Sequence, residues 1–278
     1  MPNIRTLTPT ESQSVIDWAA AEGWNPGMAD LDAFLAQDSG LFLGLEEDGV
    51  LQSVIAATRY GADFGFIGCY IARPEARGRG FGIAIWRAGM AQLAGRLVGL
   101  DGVVAQQDNY RKSGFALAWN NIRFGGTPTR RDAPANGVVD AGSVPFAAVA
   151  AFDRTVFPGP RDAFLRTWIA TPGHIALAAV ADGEVTGFGV IRPSREGHKI
   201  GPLTAQTPKV AEALLAALLA RIPPGPVFWD VPQPHADAMR LAEAVGLVPG
   251  FETARMYKGP LPDLRMDRMF GIASLELG

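Results

Sequence analysis

The chain has one cysteine in 278 residues, no apolar run near the roughly 20 residues that cross a bilayer, and no surplus of positive charge. Cys69 alone closes no internal disulfide and provides no thiolate cluster for a metal, so a metal-free protein of a reducing cytoplasm is expected. The opening stretch MPNIRTLTPTES lacks an apolar signal core, so neither secretion nor membrane insertion is expected. Lys and Arg number 25 against 28 Asp and Glu, for a net charge of -3, which leaves no broad basic face for nucleic acid. All the histidines, His174, His198 and His235, fall in the second half, so none is at hand in the first half to activate Cys69, which reads as a small buried hydrophobe.

What is present suits a folded protein of two units: 48% apolar and 19% charged residues in 29.5 kDa. The first half begins with a short strand, NIRTLT, and a helix that Thr8 or Thr10 can cap, entered by Pro9 and closed by Gly23. A second short helix follows, then an antiparallel meander turning at Asp48-Gly49 and at Gly61-Ala62-Asp63. Ile83, Trp86, Met90, Leu93 and Leu97 form one stripe of a further helix, succeeded by a strand (RLVGLDGVVA), a short helix and a strand. The order then nearly repeats beyond a Gly, Pro and Thr-rich linker, giving expected units at 1–125 and 138–278 joined by 126–137. Arg123 lies nine residues after Gly114, and Arg255 nine after Gly246, a small echo of a duplicated α/β unit.

Chemistry concentrates in RPEARGRGFG, residues 73–82, between an apolar strand and an amphipathic helix. The first N–H groups of a helix have no intrahelical partner and sit at its positive end, so they bind phosphate where side chains leave room. Gly78, Gly80 and Gly82 leave that room, and Arg77 and Arg79 add charge. The Gly-Lys-Ser/Thr ending of a Walker loop is absent, and an antiparallel meander precedes the loop where a dinucleotide fold would start with parallel strands. The pyrophosphate of coenzyme A is the ligand that remains.

Residues 1–125 resemble the GNAT superfamily of N-acetyltransferases. Arg77-Gly78-Arg79-Gly80-Phe81-Gly82 matches its Gln/Arg-x-x-Gly-x-Gly/Ala signature, and Tyr110 with Gly114-Phe115 matches its second hallmark. The whole chain is similar to tandem GNAT proteins of the YitH type, through EGWNPG and GLDGVVAQ. The resemblance implies a mixed α/β fold: two tandem domains, each a mostly antiparallel twisted sheet flanked by helices. It also implies acetyl-CoA as cosubstrate, a small amine or an amino group of a larger molecule as acceptor, and attack of that amine on the thioester.

Residue by residue, the resemblance has backbone groups of Ile71 and Arg73 holding the pantetheine arm, and the N–H groups from Arg77 to Gly82 holding the pyrophosphate. Tyr110 would protonate the departing thiolate, a role suited to a phenol whose pKa is near 10; the alternative is a tyrosine that packs a short helix. Val103 stands where many relatives carry asparagine. Trp24 and Asn25 either reach over the acceptor or cover the core and turn the chain. Asp101 is the nearest carboxylate for a base, or caps a turn. In the second half, Thr207 and Pro208 explain a helix start without a ligand, and Leu241 replaces the tyrosine. That half is expected to wall the acceptor cleft, with Asp230 and His235 as polar groups, unless Asp230 caps its turn. A non-catalytic acyl-CoA-binding protein is the competing expectation.

Overall fold

Thr8 starts the first helix in the computed structural model, which describes residues 2–129 and 137–278. Its hydroxyl accepts from Glu11 N while the Glu11 carboxylate accepts from Thr8 N at 2.8 Å, and Pro9 takes the first helical position. The expected linker falls mostly on residues outside those described.

The first half runs β1 (Asn3–Thr6), α1 (Pro9–Ala21), α2 (Asp30–Gln37), β2 (Phe42–Glu47), β3 (Val50–Tyr60), β4 (Phe64–Ala72), α3 (Phe81–Gln92), β5 (Leu97–Val103), α4 (Gln107–Lys112) and β6 (Ala116–Gly126). The second repeats this as β7 (Val138–Asp140), α5 (Phe146–Asp153), α6 (Asp162–Ala170), β8 (Ile175–Ala181), β9 (Glu184–Pro193), β10 (His198–Ala205), α7 (Pro208–Ala220), β11 (Val227–Pro232), α8 (Ala236–Ala244) and β12 (Val248–Lys258), then adds β13 (Met269–Gly271). The meander turns where expected: Asp48 and Gly49 both take positive φ, 53° and 76°, as a tight hairpin requires.

The architecture is mixed α/β with a mostly antiparallel sheet, in the order β1-β2-β3-β4-β5-β12-β6-β11-β10-β9-β8-β7, with β13 on β10. The halves are not side by side. β12, the last long strand of the second half, lies between β5 and β6, and β6 lies between β12 and β11. Each half therefore completes its sheet with the other's final long strand.

Two buried ion pairs sit at matching places in this exchange. Asp101 on β5 faces Arg255 on β12, and Asp230 on β11 faces Arg123 on β6. Arg255 donates to Asp101 at 2.7 and 2.6 Å, and Arg123 to Asp230 at 2.7 and 2.9 Å, each with both fork nitrogens. These are the two arginines whose spacing from glycine repeats in the sequence. A third buried pair, Asp30 with Arg192, ties α2 to β9.

Apolar packing crosses the halves as well. Phe34 stacks on Trp168 at 6.2 Å, and Tyr60, Phe64 and Phe66 share one cluster with Phe157, Met269 and Leu275. Among the described residues no helix is long and apolar enough to cross a membrane.

Candidate active site

β4 and β5 run parallel only from Phe64 opposite Leu97 to Ile67 opposite Leu100. Just beyond, β3 advances from Val54 to Ala56 while β4 passes from Ile71 to Gly68, one residue more, and Cys69 takes φ 45°. An extra residue bends the strand that carries it, and here it turns β4 away from β5. A cavity of about 580 Å³ opens between them, lined by Gly68–Ala72, by Asp101–Val103, by the Arg/Gly loop, and from the second half by Phe251, Thr253, Leu275 and Glu276.

The loop side of this cleft is built to take an anion. Gly80 precedes α3 with φ 86° and Gly78 has φ 78°, a region L side chains avoid; a Cβ at either would enter open space. No side chain caps α3, and Ala84 makes the first intrahelical bond, to Gly80 O at 3.1 Å, so the N–H groups of Phe81, Gly82 and Ile83 remain for a ligand. The Phe81 ring is buried in the core, so that residue contributes its backbone. Arg77 and Arg79 are held by carboxylates instead: Arg77 donates to Glu22 at 2.6 Å and Arg79 to Glu47 at 2.5 Å. A bound phosphate would draw on the backbone donors first and compete with Glu22 and Glu47 for the guanidinium groups. These residues fit a pyrophosphate.

The placement expected for the pantetheine arm needs correction. Arg73 N donates to Gln52 O at 3.0 Å and its carbonyl accepts from Ala76 N at 2.9 Å, so both groups are taken. Because facing residues alternate along an antiparallel pair, Ile71, opposite Val54, also turns its backbone toward β3. Ala72 is the residue whose N–H and carbonyl face away from β3, toward the cleft. The sequence offset is a single residue, and parity makes it decisive.

Tyr110 lines the cavity from α4, buried, with its ring 5.5 Å from that of Trp86. Burial, and secondarily Tyr70, pushes its hydroxyl pKa up to about 12. Its ring rests on β5 at Gly102, where a Cβ would come within 2.2 Å of it. Gly102→Ala should therefore displace the ring by roughly an ångström and lower turnover about 100-fold with little change in acyl-CoA affinity. Steady-state kinetics beside calorimetry would check it, and unchanged turnover would mean the ring's position is immaterial.

The remaining expected site residues divide. Trp24 lines the cavity, its carbonyl accepting from Arg123 at 2.7 Å. Asp101 lines it too, but its carboxylate serves Arg255 and accepts from Asn121 at 2.8 Å. Burial pushes this carboxyl above its ordinary range against the pull of Arg255. Asn25 lies outside the lining and, at φ 51°, ties its loop to the connection between β9 and β10 through Ser194 and the backbone of Glu196. Asp230 and His235 are also outside it. Asp230 is spent on Arg123, and His235 accepts from Ala238 N at the start of α8 while its other ring nitrogen meets Asp267 O at 3.0 Å. Sequence reasoning missed Phe251, Thr253, Leu275 and Glu276, which reach the cleft only because β12 and the C-terminal segment cross into the first half.

Comparison with known proteins agrees with this fold. Residues 9–115 match the model of the Acetyltransferase (GNAT) family, and residues 149–271 that of an Acetyltransferase (GNAT) domain. The chain is 33% identical over 271 residues to the "Holothin acyltransferase" of a Pseudoalteromonas species, covering 96% of this chain and 92% of that protein. The crystal structure of a Pyrococcus horikoshii protein is similar with a TM-score of 0.84 at 21% identity, over 100% of this chain and 96% of that one. A tandem GNAT protein from the clavulanic acid biosynthesis pathway is similar with a TM-score of 0.62 at 14% identity, over 94% and 100%.

Proposed function

The chain belongs to the GNAT acyltransferase family and carries two such domains, and from that premise we propose that it moves an acetyl group from acetyl-CoA to a primary amine. The observation that carries the reading is the cleft where β4 and β5 part, with an uncapped glycine-flanked helix start on one wall and a buried tyrosine on another. Holothin, named in the relative, is the first acceptor to assay.

Acetyl-CoA supplies the acyl group as a thioester, with a thiolate as leaving group. The N–H groups at the start of α3 hold its pyrophosphate, with Arg77 and Arg79 released from Glu22 and Glu47 to assist. Ala72, through the backbone groups that face the cleft, holds the pantetheine arm. Tyr110 keeps its proton at neutral pH and gives it to the sulfur as the C–S bond breaks. Gly102 lets the ring lie close enough to β5 to do so.

The second half has no equivalent cradle. At α7 the Thr207 hydroxyl caps Val210 N and Pro208 has no N–H to offer. Calorimetric titration with acetyl-CoA should give one site per chain, and Arg79→Glu should weaken binding about 10-fold or more. Two sites would refute the assignment of α7, and an unchanged affinity for Arg79→Glu would refute that of the loop.

A further inference from the structure

Glu276 lines the cleft from the C-terminal segment and is 2% exposed, and its two carboxylate oxygens are buried with no hydrogen-bond donor among the described residues. The segment is anchored on both sides of this residue. Gly278 N donates to Ser274 O at 3.0 Å, Tyr60 donates its hydroxyl to Leu277 O at 2.9 Å, and Arg161 donates to Gly278 O at 2.9 Å. The Glu276 carbonyl presses on Gly68, where a Cβ would come within 1.9 Å. Gly68 is the first residue of β4 beyond its last pairing with β5, so Glu276 stands where the two strands part.

The other acids on these walls are committed: Asp101 to Arg255 and Asn121, Glu22 to Arg77. The charged and titratable groups that sense Glu276 are Arg123 on β6, Lys199 on β10 and the Cys69 thiol on β4, whose pKa its burial and this carboxylate raise. Arg123 is engaged with Asp230. Lys199 attracts Glu276 but gives it no hydrogen bond; its own ammonium is buried without a hydrogen bond and forms an ion pair with Asp230 at 3.9 Å. A carboxylate kept from water and left without a donor is unfavourable unless a cation reaches it.

Building on the transferase reading, we propose that Glu276 receives the ammonium of the acceptor and that the acceptor is a monoamine on an apolar body. One uncommitted carboxylate answers one cation, and Trp24, Leu100, Val103, Phe251 and Leu275 offer the rest of the molecule apolar contact. Glu276 also takes the first proton. The ammonium loses one proton to Glu276, which gives it up to water that enters the cleft once the products have left; the free amine forms the C–N bond as the C–S bond breaks. The second proton leaves the nitrogen for Tyr110 as Tyr110 protonates the thiolate, so an amide, a free thiol and one released proton result.

The test is calorimetry on protein saturated with coenzyme A, with benzylamine as the apolar monoamine, benzyl alcohol as its uncharged counterpart and spermidine as a polyamine. Benzylamine should bind, and the other two should bind at least about 10-fold more weakly. Glu276→Gln should weaken benzylamine about 30-fold or more while coenzyme A affinity stays within about twofold. Should that variant not fold, the pair Lys199→Met with Glu276→Gln removes both buried charges together and should show the same loss. Benzylamine affinity preserved in either folded variant would mean that Glu276 serves only to balance Lys199, and no benzylamine binding to the wild type, or preference for spermidine, would equally overturn the proposal. Failure of coenzyme A to bind at all would be a different result: it would refute the transferase reading and this proposal with it.

Discussion

Tyr110→Phe should lower kcat between about a hundredfold and ten-thousandfold, the usual range for loss of a general acid, with acetyl-CoA affinity held within about twofold. The ring that remains still packs on Trp86 and over Gly102, so the cleft keeps its shape; only the transferable proton is gone. Since burial pushes that hydroxyl up to about 12, it stays protonated through the physiological range, and no alkaline fall in kcat traceable to it should appear below about pH 10. A group that must be protonated loses its function as pH rises through its pKa, and raising the pKa moves the loss upward. Pre-steady-state thiol release by wild type and variant would decide. An equal fall in acetyl-CoA affinity would make Tyr110 a binding residue, and an unchanged rate would remove it from the chemistry.

Arg255→Met should destabilise the fold by about 3–5 kcal/mol, the magnitude associated with stranding one member of a buried pair. Arg255 is 2% exposed, and its removal leaves Asp101 with only Asn121 as a donor. Denaturant melts are the measurement. The loss should be smaller at pH 5 than at pH 8: without its arginine, Asp101 would bind a proton more readily folded than unfolded, so stability would fall as pH rises. Converting both partners together, Asp101→Leu with Arg255→Met, should recover most of the loss, because two apolar side chains leave no buried charge unpaired. A loss below about 1 kcal/mol would class the pair with exposed ion pairs and deny it a role in holding the exchanged strands.

Much of the fold could be read locally. Thr8 with Pro9, Asp48-Gly49 and the glycines that end helices act on neighbouring residues, so their consequences travel only a few positions along the chain. The glycine-flanked, uncapped start of α3 is equally local. Pairing of β5 with β12 is not: Asp101 and Arg255 are 154 residues apart, and nothing in alternating hydrophobicity says which strand edge meets which. Two carboxylates near strand ends therefore read as ligands for substrate, when both are held by arginines of the opposite half. The misplacement at Ile71 and Arg73 has a different cause. The register slip at Cys69 leaves no clear mark in FGFIGCYIA, yet backbone orientation alternates residue by residue, so one position changes which groups face the cleft.

The exchange of β6 and β12 also governs when, during synthesis, the sheet can be completed. Domains commonly fold in turn as they leave the ribosome. Here the first unit has all its own residues once β6 has emerged, but β5 lacks its neighbour until β12 follows, on the order of 10 s later at ordinary elongation rates. Any provisional pairing of β5 with β6 in that interval has to open again to admit β12. The nascent protein must carry an unfinished sheet through more than a hundred residues of translation, and the part of the cleft lining supplied by Phe251, Thr253, Leu275 and Glu276 joins it only after the second half has been made.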